Sequence, residues 1–245
     1  MKTLSMIILS LVFLAGCGQA KAKKESAENN KKAEVKEQPA NATLSQAPTK
    51  TFDFENYETG KLPSGWSQYA TGKGQITDWK IVDDKGNKVL AQLSKKNPGY
   101  HFNDVVYDGL EAKNVELKVR IKGIAGHEDQ GGGFIWRFKD KDNYYVVREN
   151  PLEDNVVLYK VEKGKRSDLP LVGKGRTYGV DVPKLGNGWN TLELKVKDDL
   201  FTVYLNGKEL FKVKDTTFTG KGKIGLWTKA DAQSYFDDYE ILVTD

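Results

Sequence analysis

Cysteine is nearly absent from this chain of 245 residues: Cys17 stands alone, and both methionines, Met1 and Met6, also fall within the first 17 positions. The rest of the sequence therefore has no disulfide, no thiolate nucleophile and no thiolate-bound zinc. Two histidines, His101 and His127, exclude a site built from several imidazoles. Clustered positive charge is missing too. Residues 1–50 carry eight lysines against four glutamates, which leaves 30 basic and 30 acidic residues over 51–245. A neutral domain lacks the phosphate-neutralising surface that general nucleic-acid binding needs, so no nucleic-acid partner is expected. No segment holds a long 3.6-residue apolar period, which excludes a helical core.

What is present divides into three parts. In residues 1–17 a single lysine, Lys2, precedes an apolar run from Met6 to Ala15. That is the order of a secretory signal peptide, and the run is too short for the ~20 residues of a membrane span. It ends in Leu14-Ala15-Gly16-Cys17, which resembles the bacterial lipobox, with Cys17 as the residue that carries the lipid. The expected address is export and attachment to a membrane through the N-terminal lipid, in the outer membrane and periplasm or at the cell surface. Residues 18–50 consist mainly of Lys, Glu, Ala, Asn and Gln. They offer too little apolar surface to offset chain entropy and read as a disordered tether. Its lysines either touch anionic headgroups or simply solvate a spacer.

From about residue 51 the texture changes to short alternating segments. Val115 to Ile121 (VELKVRI) and Leu192 to Val196 (LELKV) alternate apolar and charged positions, the period of strands with one face in a core. Asn206-Gly207 sits between two such runs, a strong signal for a two-residue hairpin turn with positive φ. Similar runs near 78–82, 88–93, 132–138, 144–149, 156–162, 223–229 and 235–243 predict an all-β, two-sheet antiparallel sandwich over 51–245. Gly220 to Gly225 satisfies a G-x-G-x-x-G pattern but leads into a strand, so a dinucleotide site is not expected.

Alternation also sorts side chains by face. If Ile224 and Leu226 enter the core, Trp227 and Lys229 lie on the opposite face. In residues 134–138 Arg137 falls opposite the three aromatics, and in residues 144–148 Arg148 shares a side with Tyr144. The pattern places Arg137, Arg148, Trp227 and Lys229 together on the outer face of one sheet, with Tyr144 and Asn155 nearby. A ring beside charged donors suits a sugar, whose C–H face stacks while its hydroxyls are bound. The alternative is a decorated surface with Trp227 covered by a loop. Glu153 and Asp154 either supply an acid/base pair or cap a turn and pair with Arg137 or Arg148. His127 lies in a polar loop, as a base beside a cleft or as an exposed side chain. Asp237 alternates with Tyr239, Ile241 and Val243, which predicts a carboxylate that starts inside the core.

Gly132 to Phe138 (GGFIWRF), Asn143 to Arg148 (NYYVVR), Leu152 to Asn155 and Leu158 to Lys160 resemble the central block of concanavalin A-like jelly-roll domains of the 3-keto-disaccharide hydrolase family, formerly a domain of unknown function. Ile224 to Asp231 and Phe236 to Tyr239 fit the same pattern. The resemblance implies a jelly-roll sandwich in a bacterial lipoprotein and a role with carbohydrate. It also implies a structural Ca²⁺ between the first and last strands, with Asp53 and Asp237 as candidate ligands. The Glu-x-Asp-x-(x)-Glu strand motif of the related family 16 glycoside hydrolases is absent, which disfavours ordinary retaining chemistry. The expectation is a monomeric, lipid-anchored binder of a glycan or small sugar. A hydrolase acting on 3-keto-disaccharides, with Glu153, Asp154 or His127 as acid/base, is the first alternative. A structural or protein-interaction lipoprotein is the second.

Overall fold

A computed structural model describes Gln46, residues 49–75 and residues 78–245. The signal peptide, Cys17 and nearly all of the tether lie outside the described residues. In chain order the strands are β1 (Lys50–Phe52), β2 (Trp66–Gly72), β3 (Trp79–Asp84), β4 (Asn87–Gln92), β5 (His101–Ala112), β6 (Val115–Ala125), β7 (Gly132–Asp140) and β8 (Asn143–Asn150). They continue as β9 (Asn155–Glu162), β10 (Lys165–Asp168), β11 (Val180–Asp181), β12 (Asn190–Lys197), β13 (Leu200–Leu205), β14 (Lys208–Lys214), β15 (Gly222–Lys229) and β16 (Gln233–Val243). Among the described residues there is no helix.

Two antiparallel sheets form the jelly-roll sandwich. The first runs β14-β13-β12-β6-β16-β4-β3 with β1 on β16, and the second runs β10-β9-β8-β7-β15-β5-β2 with β11 on β9. The first sheet follows the simple alternation. Val115, Leu117, Val119 and Ile121 of β6 enter the core, and the intervening side chains face outward. There they pair across strands, as in Lys118–Glu240 at 3.3 Å and Lys122–Asp84 at 2.8 Å. The predicted hairpin forms: Leu205 pairs with Lys208 around Asn206 (φ 49°) and Gly207 (φ 80°).

The second sheet is apolar on both faces. Phe134, Trp136, Tyr145, Val147 and Leu226 pack into the space between the sheets. Phe102, Val106, Ile135, Tyr144, Val146, Val157, Tyr159 and Trp227 form a separate buried cluster on the outer face. Nearly continuous apolar runs such as YYVV and VVLY are what a strand buried on both faces requires. Tyr100 and Arg166 close over part of this layer. The Tyr100 hydroxyl donates to Gly164 O at 3.1 Å, and the Arg166 guanidinium lies 4.4 Å from the Tyr159 ring and 5.4 Å from the Phe102 ring.

Two β-bulges overturn face assignments made by alternation. Between Trp136 and Asp140 the register of β7 shifts, and Arg137 takes φ 49°. Arg137 is thereby turned away from the outer face to lie 5.5 Å from the ring of Phe201 in the opposite sheet, while Phe138 swings outward beside Ile135. An extra residue in a ladder inverts the parity of all that follow it. In β16 the shift between Asp237 and Glu240, with Asp238 at φ 47°, does the same. Phe236 and Tyr239 both reach the core, whereas Asp237, buried at 3% exposure, turns to the side of Arg120. Its carboxylate instead accepts from Asn87 Nδ2 at 2.9 Å and from Asp238 N at 2.8 Å, 4.0 Å from Arg120.

Candidate functional site

Arg148 leaves β8 on the outer face of the second sheet and is 1% exposed. Its Nη2 donates to Glu153 at 2.7 Å and to the Tyr159 hydroxyl at 3.2 Å, and its Nη1 reaches the Asn155 side chain and carbonyl. Its Nε has no partner among the described residues. Burial works against this charge, but Tyr159, Asp129 and Glu153 outweigh it and raise the Arg148 pKa. Two residues further along β15 than Trp227, on the same face, Lys229 pairs with Asp129 at 2.8 Å. Asp129 also accepts from Asn150 Nδ2 at 3.1 Å.

The four charges form one cluster. Burial raises the Asp129 pKa against the opposing pull of Lys229 and Arg148. Burial also acts on Glu153, but Arg148 and Asn155 hold its carboxyl below the ordinary range. The cluster opens to solvent on one side: the Glu153 side chain is 40% exposed, and Tyr178, whose hydroxyl lies 3.0 Å from that of Tyr159, is 47% exposed. The loop that delivers Asp129 is shaped by Asp231, whose carboxylate accepts the backbone N–H groups of His127, Glu128 and Asp129. Deeper in the same face, the Trp227 ring lies 5.4 Å from that of Phe102, tilted by 48°, and is 1% exposed. Beside it, Tyr144 and Thr71 surround Asp104, whose pKa burial drives well above the ordinary value.

The structure therefore brings Arg148, Lys229, Asn155 and Glu153 together and sets Tyr144 and Trp227 into the floor beneath. Trp227 is not a stacking platform, because its ring is covered. Arg137 does not join them. It spans the sandwich edge, donating to Lys113 O at 3.1 Å, Phe218 O at 2.7 Å and Asp198 O. Asp154 is occupied elsewhere: at φ 47° its carboxylate accepts Leu185 N at 2.9 Å. His127 is exposed in its loop. Asp129, Tyr159 and Tyr178 were not singled out by sequence reasoning. Tyr159 was legible from its alternation with Val157 and Val161, whereas the loop residue Asp129 carried no periodic signal.

The side chains at the proposed calcium position do not fit the ion. Asp53 is exposed and accepts Glu55 N at 3.2 Å, and both Asp237 oxygens are already engaged. Among the described residues no three His, Cys, Asp or Glu side chains are grouped to hold a metal, whereas Ca²⁺ takes about six to eight oxygens.

Taken with its topology, this is a β-sandwich of the type found in carbohydrate-binding modules. The chain belongs to the 3-keto-alpha-glucoside-1,2-lyase-like domain family, whose model matches residues 48–242. Among solved structures it is similar to carbohydrate-binding module CBM66 from Bacillus subtilis, with TM-score 0.54, 20% identity, and 73% of this chain and 95% of that one covered. It is also similar to a Bacillus subtilis protein of unknown function with a galectin-like fold, with TM-score 0.53, 11% identity, and coverage of 80% and 96%. A third is a Bacteroides ovatus GH16 protein in complex with a G4G4G3G product, with TM-score 0.53, 11% identity, and coverage of 78% and 99%. At these identities the likeness is one of fold.

Proposed function

We propose that the protein is a lipid-anchored, extracytoplasmic carbohydrate-binding domain whose glycan meets the open side of the Arg148–Lys229–Asp129–Glu153 cluster, at Glu153 and Tyr178. The observation that carries this reading is the cluster itself. Two cations and two carboxylates are gathered at the open edge of a largely apolar sheet face, with Tyr178 half-exposed beside them. Opposite charges in balance present donors and acceptors without favouring an ion, which suits the hydroxyls of a neutral sugar. Membership of a family described by a 3-keto-glucoside lyase supports a carbohydrate ligand. A glycan array probed with the full chain tests it. The wild type is expected to retain a defined set of oligosaccharides, and Glu153→Gln to retain them at least about fivefold more weakly, the loss of one charge-assisted hydrogen bond. An array with no signal removes the proposal.

The anchor is tested separately. Cys17→Ser is expected to move the protein from the membrane fraction to the soluble fraction, and an unchanged distribution overturns the lipid attachment.

The family description favours a second reading, elimination across C1 and C2 of a 3-keto-glucoside. The C2 proton, acidified by the adjacent ketone, passes to a base. The C1–oxygen bond then breaks, the C1=C2 double bond forms, and the departing oxygen takes up a proton. Of the three acid/base candidates Glu153 alone stands in the cluster, and its lowered pKa keeps it ionised and able to accept that proton. Release of the aglycone from a 3-keto-glucoside, slowed about a hundredfold or more in Glu153→Gln, supports this chemistry. No release by the wild type leaves binding as the function.

A further inference from the structure

The bulge that turns Arg137 inward has an effect on the opposite side of β7: it delivers Phe138 to the outer face of the second sheet, far along the strand from Arg148. There Phe138 lies 5.0 Å from the ring of Tyr69, which comes from the edge strand β2 and stays half-buried. Tyr69, over the buried Phe138, floors a cleft of about 440 Å³ whose rim carries Glu111, Lys139, Asp140, Lys221 and Lys223. Gly222 completes the floor, and a Cβ there would come within 2.5 Å of the Arg137 carbonyl carbon, so the bulge and the glycine require each other.

The rim groups are differently engaged. Lys223 is tied to Asp108 at 2.7 Å and Lys221 to Asp245 at 2.8 Å, and Asp140 accepts from Asp142 N at 2.8 Å. Lys139 meets no carboxylate within ion-pair distance among the described residues, and its ammonium lies 5.4 Å from the Phe218 ring. Glu111 is exposed. The half-buried Tyr69 ring with the exposed Glu111 carboxylate as acceptor and the paired Lys221 and Lys223 as donors matches a pyranose unit: C–H faces against the ring, hydroxyls to either side.

We propose that this cleft is a second sugar subsite, distinct from the Arg148 cluster and selective for a neutral pyranose unit. The proposal rests on the carbohydrate-binding reading of the protein. Bulges in strands characteristically re-aim side chains near functional sites, and this one converts a residue that alternation assigns to the core into the floor of a cleft.

Affinity electrophoresis of the full chain through native gels containing pullulan, mixed-linkage β-glucan, xylan or polygalacturonate tests it. A neutral polysaccharide is expected to retard the wild type. Tyr69→Ala and the exposed Glu111→Gln are expected to weaken the retardation by roughly three- to tenfold, the range of one aromatic or polar contact, and Tyr69→Phe to restore it. If Tyr69→Ala and Glu111→Gln run like the wild type while Lys229→Met loses retardation, the cleft is not a subsite and the Arg148 cluster alone binds. Retardation by polygalacturonate alone contradicts the neutral-sugar assignment. If no gel retards the wild type, the subsite and the carbohydrate reading fall together.

Discussion

Arg148 and Lys229 hold the site together by different means, and their substitutions separate accordingly. Lys229 lies at 16% side-chain exposure against an Asp129 that is 5% exposed. Lys229→Met removes the counter-charge of a buried carboxylate and is expected to cost about 2–3 kcal/mol, less than the ~3–5 of a fully buried pair because the lysine reaches water. Urea unfolding measures this directly. Glu149 offers a second residue-level test. It is buried between the sheets, neither carboxyl oxygen has a partner among the described residues, and burial pushes its pKa from 4.5 up to about 8. The unfolded chain releases this proton near 4.5 and the fold near 8, so between those values the native state binds more protons and stability declines as pH rises. The decline attributable to this group is at most about 5 kcal/mol. Glu149→Gln is expected to abolish that slope, so that the melting temperature of the variant exceeds that of the wild type more at about pH 9 than at about pH 5. Parallel pH profiles for the two proteins contradict the assignment.

At the scale of elements, strand positions and the Asn206-Gly207 turn were legible because each carries a local signal: a period of two or a dipeptide that tolerates positive φ. Gly207→Ala in this turn is expected to cost about 1 kcal/mol and lower the melting temperature by about 2–4 °C. The face on which a side chain emerges was legible only within an uninterrupted ladder. Arg148, Trp227 and Lys229 were sorted correctly because no register shift separates them from the alternating stretch used to place them. Arg137 and Asp237 were not, because each sits at a bulge. Nothing in the local sequence marks those bulges, since Arg137 and Asp238 are not the glycines usually found at positive φ. Asp129 escaped for another reason: a loop carboxylate reaches its partners through Asp231, which is remote in sequence.

The whole molecule contains carboxylates shifted in both directions, and they set opposing slopes. Burial raises Asp104, Asp129, Glu149, Glu193 and Asp237, with Glu193 reaching about 7. Ion pairs and backbone donors lower Asp108, Glu153, Asp215, Asp231 and Asp245 despite some burial. The lowered groups contribute stability that is complete above their unfolded pKa values and is lost as acid protonates them in the fold. The raised groups remove stability as pH climbs from about 4 toward 8. Stability is therefore expected to peak in mild acid, between the two trends, and a flat profile across that range contradicts it. Because the Asp53 and Asp237 side chains do not fit Ca²⁺, chelation is expected to leave the melting temperature unchanged, and a marked drop would contradict that conclusion. The central claim is that sugar meets the outer face of the second sheet at Glu153 and Tyr178, above the buried Arg148. The most direct measurement is a ¹⁵N–¹H NMR titration of the full chain with the oligosaccharide that an array retains most tightly. The account predicts shifts of the Asn155 side-chain amide, which donates to Glu153 at 3.1 Å, and of the Arg148 guanidinium, which pairs with the same carboxylate at 2.7 Å. Shifts confined to the outer face of the first sheet, at the Trp189 indole that lies 4.7 Å from the Arg120 guanidinium and 5.7 Å from the Lys122 ammonium, would contradict it.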